Sequence, residues 1–384
     1  MTTRRDFLKR LFAATSGIYM LSLLPFKNNT TQVPKPLSAS VIADKAQVKA
    51  RVKPYQLSSP IVNKPFLNAL NHIITPTYDG SGQSVHPSVL DFKAEYGIDS
   101  WGGFRYWMAL TPYPNFNSTL ENPSILVSKD GLNWINATGI KNPLAAKPLG
   151  FVKDTYNSDP ELVYDPDQNI LILYWREYRG NAFEKIWAKK ISLGYKQSDK
   201  ILCFEKVWDY QKTGLILSPT VWRKSSKEWF MWTTDGRMTI HLYTSSDGIN
   251  WSSGQPCSSP WDIWNGGYIP WHIAAKPNYP EQKIEFLIAG WSKEKTMKDC
   301  QLFYAAAPMS QPKELSMPLL RPLLVPGAEN QWDDGYIYRS SFVREPGEGS
   351  KFHIWYSACS KKKSWHIGYT EGNLANIPSD IIKA

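Results

Sequence analysis

His86-Pro87-Ser88-Val89-Leu90-Asp91-Phe92, then Phe104 to Leu110 (FRYWMAL), then Asn122-Pro123-Ser124-Ile125-Leu126-Val127-Ser128, lead into the turn Lys129-Asp130-Gly131-Leu132-Asn133-Trp134. A short strand with Pro near its start is followed by an aromatic-rich strand, a third strand and a polar turn. Four more groups have the same shape. They are Asp159-Pro160-Glu161-Leu162-Val163-Tyr164 with Ile170–Trp175 and Ile186–Ile191; Ser218-Pro219-Thr220-Val221-Trp222 with Trp229–Thr233 and Ile240–Ser245; Trp271-His272-Ile273-Ala274-Ala275 with Ile284–Trp291 and Leu302–Ala306; and Tyr338–Val343 with Phe352–Ser357 and Trp365–Thr370. No stretch outside the first 40 residues keeps a helical apolar period over twelve positions, so the body reads as all-β.

One such blade cannot bury both of its faces, and repeating it around an axis covers each face with a neighbour while leaving only short edges. Five groups therefore predict a five-bladed β-propeller rather than a sandwich, which would not produce five matched groups. Ser128–Trp134 and Ser245-Ser246-Asp247-Gly248-Ile249-Asn250-Trp251 are expected to be tight turns: Asp-Gly supplies positive φ, and the Trp three residues later folds back over the blade. Trp107, Trp175, Trp232, Trp291 and Trp355, on second strands, are expected between blades.

The chain has 384 residues and a formal charge of +10, from 44 basic and 34 acidic side chains. Residues 1–40 hold six of the basic residues and one acid, which leaves 38 against 33, an ordinary surface with no stripe for nucleic acid. Thr3-Arg4-Arg5-Asp6-Phe7-Leu8-Lys9, followed by the uncharged run Leu11–Phe26, resembles a twin-arginine export signal. The run is shorter than the roughly 20 residues a spanning helix needs. The expectation is therefore a periplasmic or secreted protein delivered by the twin-arginine machinery, touching a membrane only through an uncleaved signal. Residues 1–40 are assigned to signal and linker, 41–79 to linker and lead-in, and 80–384 to the propeller, expected as a monomer.

Cys203, Cys257, Cys300 and Cys359 stand far apart without a C-x-x-C pair and read as small core residues, although an oxidising compartment permits a disulfide. Gly80-Ser81-Gly82 lacks the third glycine and the helix of a dinucleotide loop. Asp165-Pro166-Asp167 lacks the glycine and terminal glutamate of a calcium loop and reads as a hairpin turn. Lys361-Lys362-Lys363 reads as a solvated turn. No cofactor motif and no metal site are assigned.

The X-Pro strand starts, the S-x-D-G-x-N-W turns, which resemble shortened sialidase Asp boxes, and the closing YRSSF, WYS and WHIGYT segments give a family resemblance over residues 80–372. The chain is similar to the five-bladed furanosidase-type propellers of glycoside hydrolase families 43 and 32, and more closely to an uncharacterised bacterial and phage-associated branch of them. The resemblance implies a funnel at the axis with three carboxylates at inner-strand starts: a base, a pKa-tuning Asp and a general acid. Only Asp159 matches. His86 stands where the base is expected and Ser218 where the acid is expected, which puts the standard inverting mechanism in doubt.

Hydrolysing a glycosidic bond takes one carboxyl held protonated and one kept ionised. Asp159, Glu161, Glu121 and His86 are the candidate catalytic residues, with Glu161 expected on the Asp159 side by strand alternation. Asp91, Arg105, Trp101, His272, Asp334 and Arg339 are the candidate substrate-binding residues; Asp333 lies beside them on the expected rim. Trp261, Trp264 and Trp332, on loops, are further candidates for stacking on a sugar. The function implied is cleavage of an envelope, capsular or extracellular polysaccharide. The alternative is a propeller that binds a glycan without cleaving it; an exported redox protein lacks any cofactor motif.

Overall fold

The computed structural model describes residues 66–148, 155–180, 183–207, 215–236, 239–258, 268–292, 300–319, 322–345 and 351–374. The segment expected to be an export signal, Trp261 and Trp264 lie outside them. The chain divides after Tyr55, and all described residues fall in the second unit.

Among the described residues eighteen strands form five antiparallel sheets. Blade 1 holds β1 (Ser84–Asp91), β2 (Tyr106–Pro112), β3 (Ser124–Ser128) and β4 (Ile135–Asn136). Blade 2 holds β5 (Thr155–Asp165), β6 (Ile170–Arg179), β7 (Phe183–Ser192) and β8 (Ile201–Val207). Blade 3 holds β9 (Leu217–Ser225), β10 (Glu228–Thr234), β11 (Ile240–Ser245) and β12 (Gln255–Pro256). Blade 4 holds β13 (Tyr268–Asn278), β14 (Lys283–Ser292) and β15 (Gln301–Pro308), and blade 5 holds β16 (Tyr336–Arg344), β17 (Lys351–Cys359) and β18 (Trp365–Asn373). The first strands β1, β5, β9, β13 and β16 touch one another in that order and close back onto β1, so they line the axis. Five blades are present, as the repeat predicts.

Trp107, Trp175, Trp232, Trp291 and Trp355 are fully buried, as their second-strand positions require. Both Asp-Gly turns form as expected. Ser128 Oγ accepts from the Gly131 N–H at 2.9 Å, Asp130 Oδ1 accepts from the Leu132 and Asn133 N–H groups, and Trp134 Nε1 donates to the Gly131 carbonyl at 3.0 Å. Gly131 has φ +76°, and a Cβ there would meet the Trp355 ring at 3.0 Å, so both backbone and packing demand glycine.

Blades are latched around the axis by one recurring contact. A side chain on each of four first strands accepts the backbone N–H of the next strand in the ring. Ser88 Oγ takes Leu162 N at 2.9 Å, Glu161 Oε1 takes Val221 N at 3.2 Å, Thr220 Oγ1 takes Ala275 N at 3.0 Å and Ser341 Oγ takes Val89 N at 2.9 Å. Innermost strands have no further strand to pair with, and these latches satisfy N–H groups that the closed ring would otherwise bury unpaired. The lead-in also fastens to blade 5: Ile73 N donates to the Ile367 carbonyl at 2.8 Å, and Phe66 packs edge-on to Phe352.

All four cysteines are buried, and no disulfide joins them. Lys361–Lys363 form the exposed turn between β17 and β18.

Candidate functional site

Every first strand carries a register break near its start. In β1 the pairing skips His86 and Pro87, in β5 Asp159 and Pro160, in β9 Ser218 and Pro219, in β13 Trp271, and in β16 Tyr338 and Arg339. The X-Pro starts in the sequence are therefore β-bulges. Proline has no N–H to give a ladder, and a bulge is where a sheet does not ask for one. His86, Asp159 and Ser218 take φ of +59°, +52° and +53°, a left-handed conformation disfavoured for residues with a Cβ. The bulges bring His86 and Asp159 together with His272.

Asp159 is the hub. Its Oδ1 lies 3.2 Å from His272 Nδ1, 3.6 Å from His86 Nε2 and 3.9 Å from Arg339 Nη1, while its Oδ2 accepts from Ser158 Oγ at 3.0 Å and lies 3.8 Å from Arg176 Nη1. Among the described residues, Asp159 Oδ1, His86 Nε2 and both His272 nitrogens are buried without a partner in good hydrogen-bond geometry. One donor atom from each of His86, Asp159 and His272 lies within 4.8 Å of the other two. Two imidazoles and a carboxylate converging with unpaired atoms form a donor set for a divalent cation such as zinc or manganese. No metal site is expected from the sequence, because the three residues come from separate blades.

Electrostatics follow from burial. Burial pushes both imidazoles below their usual value, His86 furthest, so both are neutral near pH 7. Burial opposes ionisation of Asp159 too, but His86, His272 and Arg176 around it outweigh that cost and hold its carboxyl well below the usual range. Glu121 is pushed the other way, by burial and then by the Asp159 charge, which favours its protonated form. Its Oε2 lies 3.5 Å from His86 Nδ1, which also meets Thr111 Oγ1 at 3.0 Å. Glu121 is held from outside: its carbonyl accepts from Asn157 N at 3.1 Å, Asn157 Nδ2 donates to Asn122 Oδ1, and Asn122 Nδ2 donates to Tyr78 Oη.

Arg176 was not anticipated. It stands in the middle of β6, where nothing but a charge inside the apolar run ILILYW-Arg176 signals a role. It pairs with buried Glu184, contacts Ser158 and Asp159, and lies 4.9 Å from the Tyr178 ring and 5.7 Å from the Tyr156 ring. Tyr338 was missed as well: its ring is 4.2 Å from His272 and 5.4 Å from His86.

The other expected residues divide. His272 and Arg339 belong to the cluster. Glu161 is near it but does not form an acid–base pair with Asp159: its carboxylate takes Thr220 Oγ1, Val221 N and Arg339 Nη2 (2.9 Å), which makes it a blade latch. The bulge at Asp159-Pro160 interrupts the alternation from which the pair was expected. Ser218 ties blade 3 to blade 4, donating to the Ile273 carbonyl and accepting from Ile273 N.

Asp91 and Arg105 are brought together at the opposite end of β1 from His86. Asp91 caps α1 (Phe92–Tyr96) and is gripped by Arg105 Nε at 2.8 Å and Nη2 at 2.6 Å. Trp101 is buried between blades 1 and 2, donating to Asn169, and Trp332 packs on Tyr356 while donating to the Ala69 carbonyl. Asp334 accepts from Asn330 N and Lys361 N, and buried Asp333 from Asn68 and Tyr356. These partners are intramolecular and stabilise loops and blades. Asp165 and Asp167 sit at the β5–β6 hairpin and meet Arg223.

No protein-family model matches the chain. It is 25% identical over 365 residues to the A type blood N-acetyl-alpha-D-galactosamine deacetylase of Flavonifractor plautii, an alignment covering 77% of this chain and 45% of that protein. The chain thus spans about half the length of that relative. A crystal structure of an N-acetylgalactosamine deacetylase from F. plautii, in complex with blood group B trisaccharide, superposes with a TM-score of 0.72 at 21% identity, covering 83% of this chain and 98% of that one. The catalytic domain of a family 62 α-L-arabinofuranosidase from Coprinopsis cinerea superposes at 0.54 with 9% identity, covering 81% and 97%. The structural likenesses establish the fold.

Proposed function

We propose that this chain is a carbohydrate-active enzyme that hydrolyses the amide of an N-acetylated sugar, releasing acetate and a free amine. The observation that carries the reading is the axial cluster: His86, His272 and Asp159 converge with nitrogen and oxygen atoms that are buried and unpaired among the described residues, beside Glu121, whose surroundings favour its protonated form. A furanosidase needs carboxylates where this chain has His86 and Ser218. The likeness to the F. plautii deacetylase supports the same reading.

In this reaction a water oxygen bonds to the acetamide carbonyl carbon and the C–N bond breaks. The water's proton passes to the Glu121 carboxylate once that group has protonated the departing nitrogen, so the acid is regenerated, while Asp159 and His272 are kept for the cation. The Glu121 carboxyl gives its proton to the departing nitrogen, which burial and the Asp159 charge keep available. His86 lies against both acids. Arg176 and Arg339 offset the buried negative charge of Asp159. His86, Asp159 and His272 are the residues that would hold a divalent cation, which when bound supplies Lewis-acid polarisation of the carbonyl and a more acidic water.

We extend the proposal to location: the twin-arginine pattern supports export, and with it an envelope or extracellular glycan as substrate. The test is acetate release, by an enzyme-coupled assay and mass spectrometry, from N-acetylhexosamine-bearing oligosaccharides supplied with a divalent metal salt. Glycoside hydrolysis is the second reading, favoured by one observation: a protonated Glu121 and an ionised Asp159 in one cluster are the acid and base that reaction requires. New reducing ends without acetate would support it, and saturable binding without either product would support a glycan-binding propeller.

A further inference from the structure

Tyr338 is absent from the reading above, yet it lies in the cluster. With Arg339 it forms the β16 bulge, as His86-Pro87 and Asp159-Pro160 form those of β1 and β5. Because β16 stands between β13 and β1 in the ring, its ring is wedged between the two imidazoles, edge-on to His272 at 4.2 Å and tilted to His86 at 5.4 Å. Trp365 packs behind it at 5.0 Å. Trp271, the bulge residue of β13, donates its indole N–H to the phenol oxygen at 3.1 Å. That bond occupies a lone pair and fixes the oxygen's position. It leaves the phenol proton to be given, and among the described residues no acceptor takes it.

We propose that Tyr338 is a catalytic residue whose hydroxyl donates a hydrogen bond to the acetamide carbonyl oxygen of a sugar bound at the axis. The inference rests on the deacetylase reading. As water adds to the carbonyl carbon, negative charge builds on that oxygen. A donor held by Trp271, and kept from solvent by two imidazoles and an indole, stabilises the charge without having to reorganise. Hydrogen bonds in a chain polarise one another, so the indole N–H makes the phenol the better donor. If the pair served only to lock blade 4 to blade 5, the aromatic packing would suffice and the hydroxyl would be dispensable.

Tyr338→Phe keeps the ring against His272, His86 and Trp365 and removes only the oxygen. With the full chain, a divalent metal salt and an N-acetylgalactosamine-terminated oligosaccharide, kcat for acetate release is expected to fall about 100-fold with KM changed less than about threefold. Melting temperature and metal binding should match wild type. The loss should shrink for an N-trifluoroacetyl substrate, whose carbonyl needs less help, a response that a merely structural role would not give. Trp271→Phe keeps the phenol but frees it, and kcat should fall about five- to tenfold. Should Tyr338→Phe fail to fold, Trp271→Phe carries the test. Wild-type turnover with kcat unchanged in the folded variant would overturn the role of Tyr338 alone; no acetate release by wild type would overturn the deacetylase reading and this inference with it.

Discussion

Asp159 Oδ1 and His272 Nδ1 approach to 3.2 Å although β5 and β13 are not neighbours in the ring; blade 3 stands between them. The contact spans the axis, and His86 joins it from blade 1 at 3.6 Å. Among the described residues none of these facing atoms has a partner in good hydrogen-bond geometry. A divalent cation would satisfy all three residues. Calorimetric titration of chelator-treated protein with zinc or manganese should show one site per chain, and Asp159→Asn should weaken binding at least 100-fold. Unchanged binding in the variant would remove these residues as ligands.

Glu121 is expected to act through its proton. Glu121→Gln preserves shape and the backbone bond to Asn157 but cannot protonate a leaving nitrogen, so kcat should fall between about 100- and 10,000-fold with KM little changed. Metal affinity should stay near wild type, because no ligand atom is assigned to Glu121. A Gln variant with full turnover would exclude it as the acid.

Glu161 should behave as a structural residue. Glu161→Gln leaves Arg339 buried beside a neutral amide, and breaking a buried pair is costly, so chemical denaturation should show a loss of about 2–4 kcal/mol. Turnover per folded molecule should fall less than about tenfold. A larger catalytic loss at unchanged stability would return Glu161 to the reacting groups.

Burial, together with the His72 ring stacked at 3.7 Å, lowers the His366 imidazole from 6.5 to about 4. Between those values the unfolded chain binds a proton there and the folded chain does not. The stability tied to a neutral His366 is therefore complete above pH 6.5 and lost as pH falls towards 4. His366→Gln should flatten this part of the stability curve by on the order of 2 kcal/mol relative to wild type, measured by denaturant unfolding at pH 7 and pH 4. Parallel curves would show that His366 titrates normally.

The fold was legible because its signal is local: Pro-marked strand starts, aromatic second strands and Asp-Gly turns each lie within a few residues. The positions of Asp159, His86 and Glu121 were legible for the same reason, each sitting at a strand start or just before one. What the sequence hid was register. A bulge adds one residue to one strand, and it decides that Glu161 latches blade 3 while Asp159 takes the axis. Arg176 and Tyr338 gain their surroundings only when the ring closes. Asp91 was misread although Asp91-Phe92-Lys93-Ala94-Glu95 has the form of a helix N-cap, with a Glu95 carboxylate returning to the Asp91 N–H at 3.0 Å. Trp101 looked like a loop residue available to sugar, but an indole needs a large apolar area to cover it, and the space between blades 1 and 2 provides that.

The most direct measurement is acetate release from an N-acetylgalactosamine-terminated oligosaccharide by the full chain with a divalent metal salt, run beside Asp159→Asn and a chelated control. The account predicts stoichiometric acetate and free amine from wild type, with at least a 1,000-fold loss in the variant and the control. Cleaved glycosidic bonds without acetate, or no product with saturable binding, would contradict it.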